Sequence, residues 1–122
     1  MTLDSPRMWF DEQEFGIEIQ NNNPFPVKIL GIYLDWPDPN GELEKVKLKP
    51  DTIWEEGYGP PSEPSDIGIP DTSPFKPGSN RSIPPFGGSK NLVFRFENDI
   101  QPFGYFLEIE FDNGCSIPPF SF

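Results

Sequence analysis

The residues in this chain best suited to chemistry are carboxylates. Asp35, Asp38, Glu42 and Glu44 fall in one short stretch with Asn40-Gly41 among them. Calcium takes roughly six to eight oxygens from such groups, so Asp35, Asp38, Asn40 and Glu42 are the candidate metal ligands. The helix–loop–helix calcium pattern is not met. Its first ligand position would be Trp36, and no helical periodicity flanks the loop. Pro37–Gly41 reads instead as a polar turn, because Asn-Gly tolerates positive φ. No cofactor is expected, and calcium is the one ion the sequence raises. Paired carboxylates also run glycoside hydrolysis, but with 20 acidic residues such pairs are inevitable. Glu108 and Glu110 read simply as alternate positions of a strand.

What the chain lacks is as informative. It has no histidine, so it cannot by itself build a Ser-His-Asp triad, a Cys-His pair or a His-ligated metal site. Cys115 is the single cysteine, which rules out a disulfide within the chain. It is expected as a small buried hydrophobe, the alternative being a bond to another chain. Nine basic and 20 acidic residues give a net charge of −11. That makes nucleic acid and anionic membrane surfaces poor partners and favours a monomer. No run of about 18 apolar residues is present, so no membrane span is expected. Met1–Phe10 also lacks the basic start and apolar stretch of a secretory signal.

Aromatic side chains offer a different chemistry. Trp36, Trp54 and Tyr58 precede or border a Pro-rich section, and exposed rings of this kind stack on sugars. These three are the candidate ligand-binding residues of a carbohydrate-binding reading. Core packing is the favoured reading of these side chains, because Trp and Tyr are highly buried on average. Pro61-Ser62-Glu63-Pro64 has the spacing of a polyproline ligand but sits among acidic residues rather than beside a basic one. Asn80-Arg81-Ser82 is a glycosylation sequon. Strict alternation also places Lys28 on the apolar face of a strand, the setting in which a Lys can form an isopeptide bond to an Asn.

The elements that would position these residues are strands. Leu92, Phe94 and Phe96 alternate with Asn91, Arg95 and Glu97, and Tyr105, Leu107, Ile109 and Phe111 alternate with Glu108 and Glu110. Period-2 alternation gives one buried and one wet face. Seven residues, Asn98–Gly104, separate the two, a long link for a hairpin and one that suits strands in opposite sheets. Phe15, Ile17 and Ile19 mark an earlier strand, closed by Asn21-Asn22-Asn23-Pro24. Val27–Trp36 is a central strand in which Gly31 signals a bulge or a close backbone approach. Leu43–Lys49 reads as an edge strand because of its lysines. Thr52–Glu55, Asn80–Ile83 and Cys115–Phe122 supply short segments. The fold class is therefore all-β, an antiparallel sandwich of about seven or eight strands, with a closed barrel as the alternative. Residues 1–12 read as an N-terminal tail or linker, and 13–122 as one sandwich domain with a long Pro/Gly-rich loop section at 56–88.

Three segments carry a resemblance. Ile17–Val27, with its Asn-rich turn and following Pro-Val strand, resembles the opening strands of Ig-like or fibronectin-type modules in bacterial secreted and cell-surface proteins. Ile83-Pro84-Pro85-Phe86-Gly87-Gly88-Ser89 before Leu92–Phe96, and Tyr105–Cys115, look like later passages of the same modules. The resemblance implies an immunoglobulin-like sandwich acting as a spacer, adhesion or assembly module, extracellular or at the cell surface, within a longer exported protein. It carries no catalytic residues. Its partners would be a protein or carbohydrate at the cell surface, or neighbouring domains. The chain is thus expected to be a non-catalytic structural, adhesion or protein-interaction module. A carbohydrate-binding module is the second reading and a carboxylate-dependent hydrolase the third. Specific function is expected away from Asn91–Phe111, in the Pro-rich section.

Overall fold

A computed structural model describes residues 3–5, 7–56, 66–69 and 75–122. The strands are β1 (Leu3–Asp4), β2 (Met8–Asp11), β3 (Glu14–Asn21), β4 (Val27–Asp35), β5 (Leu43–Leu48), β6 (Asp51–Glu55), β7 (Asp66–Ile69), β8 (Ser82–Ile83), β9 (Gly88–Phe96), β10 (Phe106–Phe111) and β11 (Ser116–Ser121). A 3-10 turn at Asp38–Asn40 is the only helical element among the described residues. One sheet runs β1-β3-β9-β5-β6, with β2 also pairing β3. The other runs β11-β10-β4-β7, with β8 also pairing β4. All described pairings are antiparallel. The protein is an all-β sandwich of two packed sheets.

Alternation drives the packing. Phe15, Ile17 and Ile19 of β3 and Leu92, Phe94 and Phe96 of β9 point inward and are fully buried. They meet Ile32 and Leu34 of β4 and Leu107 and Ile109 of β10 in one core. Phe15 pairs in register with Phe94, their rings stacked at 4.9 Å. As the long link suggested, β9 and β10 lie in opposite sheets. Cys115 is a buried free thiol in this core.

Three local expectations change. Lys28 is exposed, not on the apolar face. Glu110 pairs with Gly31 while Phe111 pairs with Ile29, so Leu30 is an extra residue, a bulge next to Gly31. The bulge reverses the phase of the strand. Val27 and Ile29 turn inward with Ile32 and Leu34, and Lys28 turns out. This removes the setting for a buried isopeptide bond.

Second, β5 is internal, between β9 and β6. Lys45 and Lys47 alternate with buried Val46 and Leu48, so they mark a wet face rather than an edge. The edge is β6, and Lys76 covers part of it by donating its N–H to the Ile53 carbonyl (2.7 Å). Third, the stretch read as a tail contains β2, which pairs residue for residue with Glu14–Ile17. Trp9 lies opposite Gly16, and a Cβ at Gly16 would overlap the indole. The missing side chain is what lets β2 dock. Of the Pro-rich section, residues 66–69 and 82–83 are strand, while 57–65 and 70–74 lie outside the described residues. Pro61–Pro64 falls there.

Candidate interaction surface

The two described tryptophan candidates are core. Trp36 continues the inward phase of Ile32 and Leu34 and is 3% exposed. Its Nε1–H donates to the Gly41 carbonyl (2.8 Å), and its ring meets Phe96 edge-on. Trp54 pairs with Val46 and is 1% exposed. Neither offers a ring face to a sugar, because both fill the space between the sheets. Tyr58 lies outside the described residues.

The candidate calcium quartet is not brought together as a site. Asp35, Asp38 and Glu42 are exposed, whereas Asn40 is fully buried. Asn40 Nδ2 donates to Tyr105 Oη (2.9 Å), and Asn40 Oδ1 accepts from the Gln101 N–H (2.9 Å). Tyr105 Oη in turn donates to the Gln101 carbonyl (2.7 Å). The Asn40 amide is thus a structural tie between the β4–β5 and β9–β10 connections, occupied at both ends. Burial pushes the Tyr105 phenol up, and the bond from Asn40 partly offsets this. No group of three or more His, Cys, Asp or Glu side chains placed to hold a metal ion occurs among the described residues.

Carboxylates do gather nearby, in an arrangement the sequence did not signal. Glu56 faces Glu42, with Glu44 and Glu97 close by. Hydrogen bonding toward Glu42, then burial and the neighbouring charges, raises the Glu56 carboxyl above its ordinary range. On β6, Lys76 Nζ donates to Glu55 at 2.8 Å and holds that carboxyl low.

The opposite end of the sandwich is built around Asn21, which is fully buried. Its Nδ2 donates to the Phe25 and Ile83 carbonyls (2.9 and 3.1 Å). Its Oδ1 accepts from the backbone N–H and the Nδ2 of Asn23 (3.1 and 2.9 Å). Both donors and both acceptor positions of the amide are therefore filled. The same Asn turn holds the β8–β9 connection from outside. The Asn23 carbonyl accepts from Phe86 N–H (2.9 Å), and the Asn21 carbonyl accepts from Gly87 N–H (2.8 Å).

That connection is a tight turn. Gly88 N–H donates to the Pro85 carbonyl (3.2 Å), and φ is positive at both Phe86 (58°) and Gly87 (83°). Two successive positive φ values define a type I′ turn, which favours Asn-Gly or Gly-Gly. The β10–β11 turn at the same end obeys the rule, with Asn113 at 60° and Gly114 at 73°. Phe86 does not. A bulky side chain in the left-handed region is strained, and this one is 79% exposed. Phe103, at the other end, is 73% exposed but has ordinary backbone. Neither burial nor turn preference accounts for a phenylalanine at position 86.

The sequence pointed to the Pro-rich section without singling out Phe86. One signal was available. The pentapeptide Ser-Ile-Pro-Pro-Phe occurs twice, at 82–86 and at 116–120. In the second copy the phenylalanine, Phe120, is half-buried and stacks on Phe122 at 5.2 Å. The sequon residue Asn80 is exposed, and its Oδ1 accepts from Ser82 N–H (2.9 Å).

No protein-family model, curated protein or solved structure matches this chain.

Proposed function

We propose that this chain is a non-catalytic, immunoglobulin-like interaction module that engages a partner protein through the end carrying Phe86. The observation that carries the reading is an exposed aromatic on a strained turn whose backbone is clamped by Asn21 and Asn23. Strain persists where the surroundings over-determine it, and it clusters at binding sites. An aromatic presented on a fixed backbone needs no loop ordering to dock, which lowers the cost of binding.

The immunoglobulin-like assignment rests on strand order. In chain order, the β1–β2 edge, β3, β4, β5, β9, β10 and β11 take the places of strands A to G. A, B, E and D then share one sheet and C, F and G the other, as in constant-type domains. β6, β7 and β8 are additions between D and E. Tyr105, just before β10, bonds back to the carbonyl four residues upstream, in the manner of the tyrosine corner at strand F. In this mapping, the Phe86 end also holds the B–C and F–G connections, the loops that bind antigen in variable domains. An exported, multi-domain setting rests on the resemblance of the three sequence segments.

The test is selection from a displayed peptide library against the wild-type chain, with parallel selection against Phe86→Asn. Recovered binders that lose affinity by about tenfold or more for the variant support the reading, that being the range of anchor residues. Binders recovered equally on both proteins, or none at all, would overturn it.

A further inference from the structure

The outer face of the second sheet carries a feature that the Phe86 end does not explain. On β4 the outward residues are Gly31, Tyr33 and Asp35. β10 places Glu110, Glu108 and Phe106 directly beside them. On the other side, β7 places Gly68 beside Tyr33 and Asp66 beside Asp35. Tyr33 lies across both glycines. A Cβ at Gly31 would meet its Cε2 and Oη at 3.2 Å, and one at Gly68 would meet its Cδ1 at 3.2 Å. A side chain at either position would push the ring off the sheet, so the two glycines let it lie down.

Carboxylates line this face: Glu108 lies beside Tyr33 and Glu110 beside Gly31, and the pair Asp35 and Asp66 occupies the next outward position along the strands. The registered pair Asp35–Asp66 sets like charges side by side, which destabilises a sheet. The described ion pairs join Arg7 to Glu18, Lys76 to Glu55, and Arg95 to Glu14 and Glu44. Among the described residues, none reaches this face. Asp35, Asp66 and Glu110 are exposed, and Tyr33 and Glu108 are half-buried. The face therefore combines an aromatic surface with carboxylates that make no ion pair among the described residues, in a chain whose net charge is −11.

We infer that this face docks an arginine-bearing segment of a partner protein, the guanidinium lying on the Tyr33 ring and donating to the flanking carboxylates. A cation over an aromatic face is attracted by the ring quadrupole. A planar guanidinium also matches carboxylate geometry through paired N–H donors. The groups beside the ring are carboxylates in a chain of net charge −11, so charge complementarity favours a cation over a neutral sugar. Like the loop-end reading, this is recognition of a protein, but by a different surface and through charge.

The experiment titrates the isotopically labelled full chain with a short peptide bearing two arginines, a citrulline twin and a neutral oligosaccharide. Backbone amide shifts are followed throughout. The arginine peptide is expected to move Gly31, Gly68 and Glu108, and the citrulline twin to leave them in place. Tyr33→Leu should weaken binding roughly 2- to 30-fold, the span of a cation–π contact, while Tyr33→Phe keeps it. Glu108→Gln/Glu110→Gln should weaken it, and Glu42→Gln/Glu97→Gln, equal in charge, should not. Phe86→Asn should bind the peptide like wild type, which separates failure here from failure of the loop-end reading. Equal binding by Tyr33→Leu, shifts gathered around Glu42 and Glu56, equal binding of citrulline, or shifts from the sugar alone would each overturn the inference.

Discussion

Replacing Phe86 with Asn should leave the protein as stable as before, or more stable. Two effects oppose each other. A non-glycine residue in the left-handed region costs about 1–2 kcal/mol, and Phe86 sits there with φ 58°. Asn tolerates that conformation and is preferred at this turn position, so most of this strain is released. Against it stands lost burial. The side chain is 79% exposed, so about a fifth of a phenylalanine's area, roughly 40 Å², leaves cover. At about 25 cal/mol per Å² this is around 1 kcal/mol. The net change runs from about zero to 1 kcal/mol of added stability, whereas truncating a core phenylalanine removes about 3–5 kcal/mol. Urea unfolding is the assay, with the midpoint compared at unchanged slope. Phe120→Asn, at the same place in the repeated pentapeptide, is the control. It should destabilise, because Phe120 is packed on Phe122. A loss above about 1 kcal/mol for Phe86→Asn would refute the reasoning, since it would mean that Phe86 is a packing residue.

Three other perturbations probe the same structure. Asn21→Ala removes four hydrogen bonds at a fully buried position, among them the one to the Phe25 carbonyl; a loss of roughly 1–3 kcal/mol in urea unfolding is expected from a buried group left unpaired. Gly16→Ala should displace Trp9 and raise hydrogen exchange at Met8–Asp11, while the amides of Leu92–Phe96 stay protected. Because Glu56 has a raised pKa, the folded state holds its proton more tightly than the unfolded chain does. Its contribution is therefore present at low pH and is lost as pH rises through the raised value. Glu56→Gln, which keeps a donor toward Glu42, should flatten that fall when urea midpoints are compared from acid to neutral pH.

Much of the scaffold was legible because its signals are local. Alternation located β3, β9 and β10 within a residue or two at most ends, since a strand with one dry face must alternate wherever it sits. Turn chemistry at Asn21–Pro24 and Asp112–Gly114 marked where strands stop. The misreadings have one source. Lysines on β5 look the same whether they face water from a central strand or guard an edge, and only strand pairing tells them apart. Trp36 and Trp54 are not among the misreadings: core packing is the favoured reading, and the space between the sheets takes both. β2 depends on Gly16 in another strand, which its own sequence cannot announce.

The candidate sites were less legible still. Phe86 and Phe120 share the preceding residues Ser-Ile-Pro-Pro, yet one projects from a turn and the other packs in a strand. The difference lies in the next two residues and in the contacts that hold the turn. Gly87-Gly88 permits the turn, and the carbonyls of Asn21 and Asn23 fix it from more than 60 residues away. Glu108 and Glu110 alternate in sequence as any wet face does. Only registration with β4 and β7 sets them around Tyr33 and the two glycines beneath it. The sequence by itself determined an acidic, histidine-free antiparallel sandwich, because composition and period-2 alternation act residue by residue. The tertiary structure decided which side chains stand together on its surface, because strand register and turn clamping join residues that are distant in the chain.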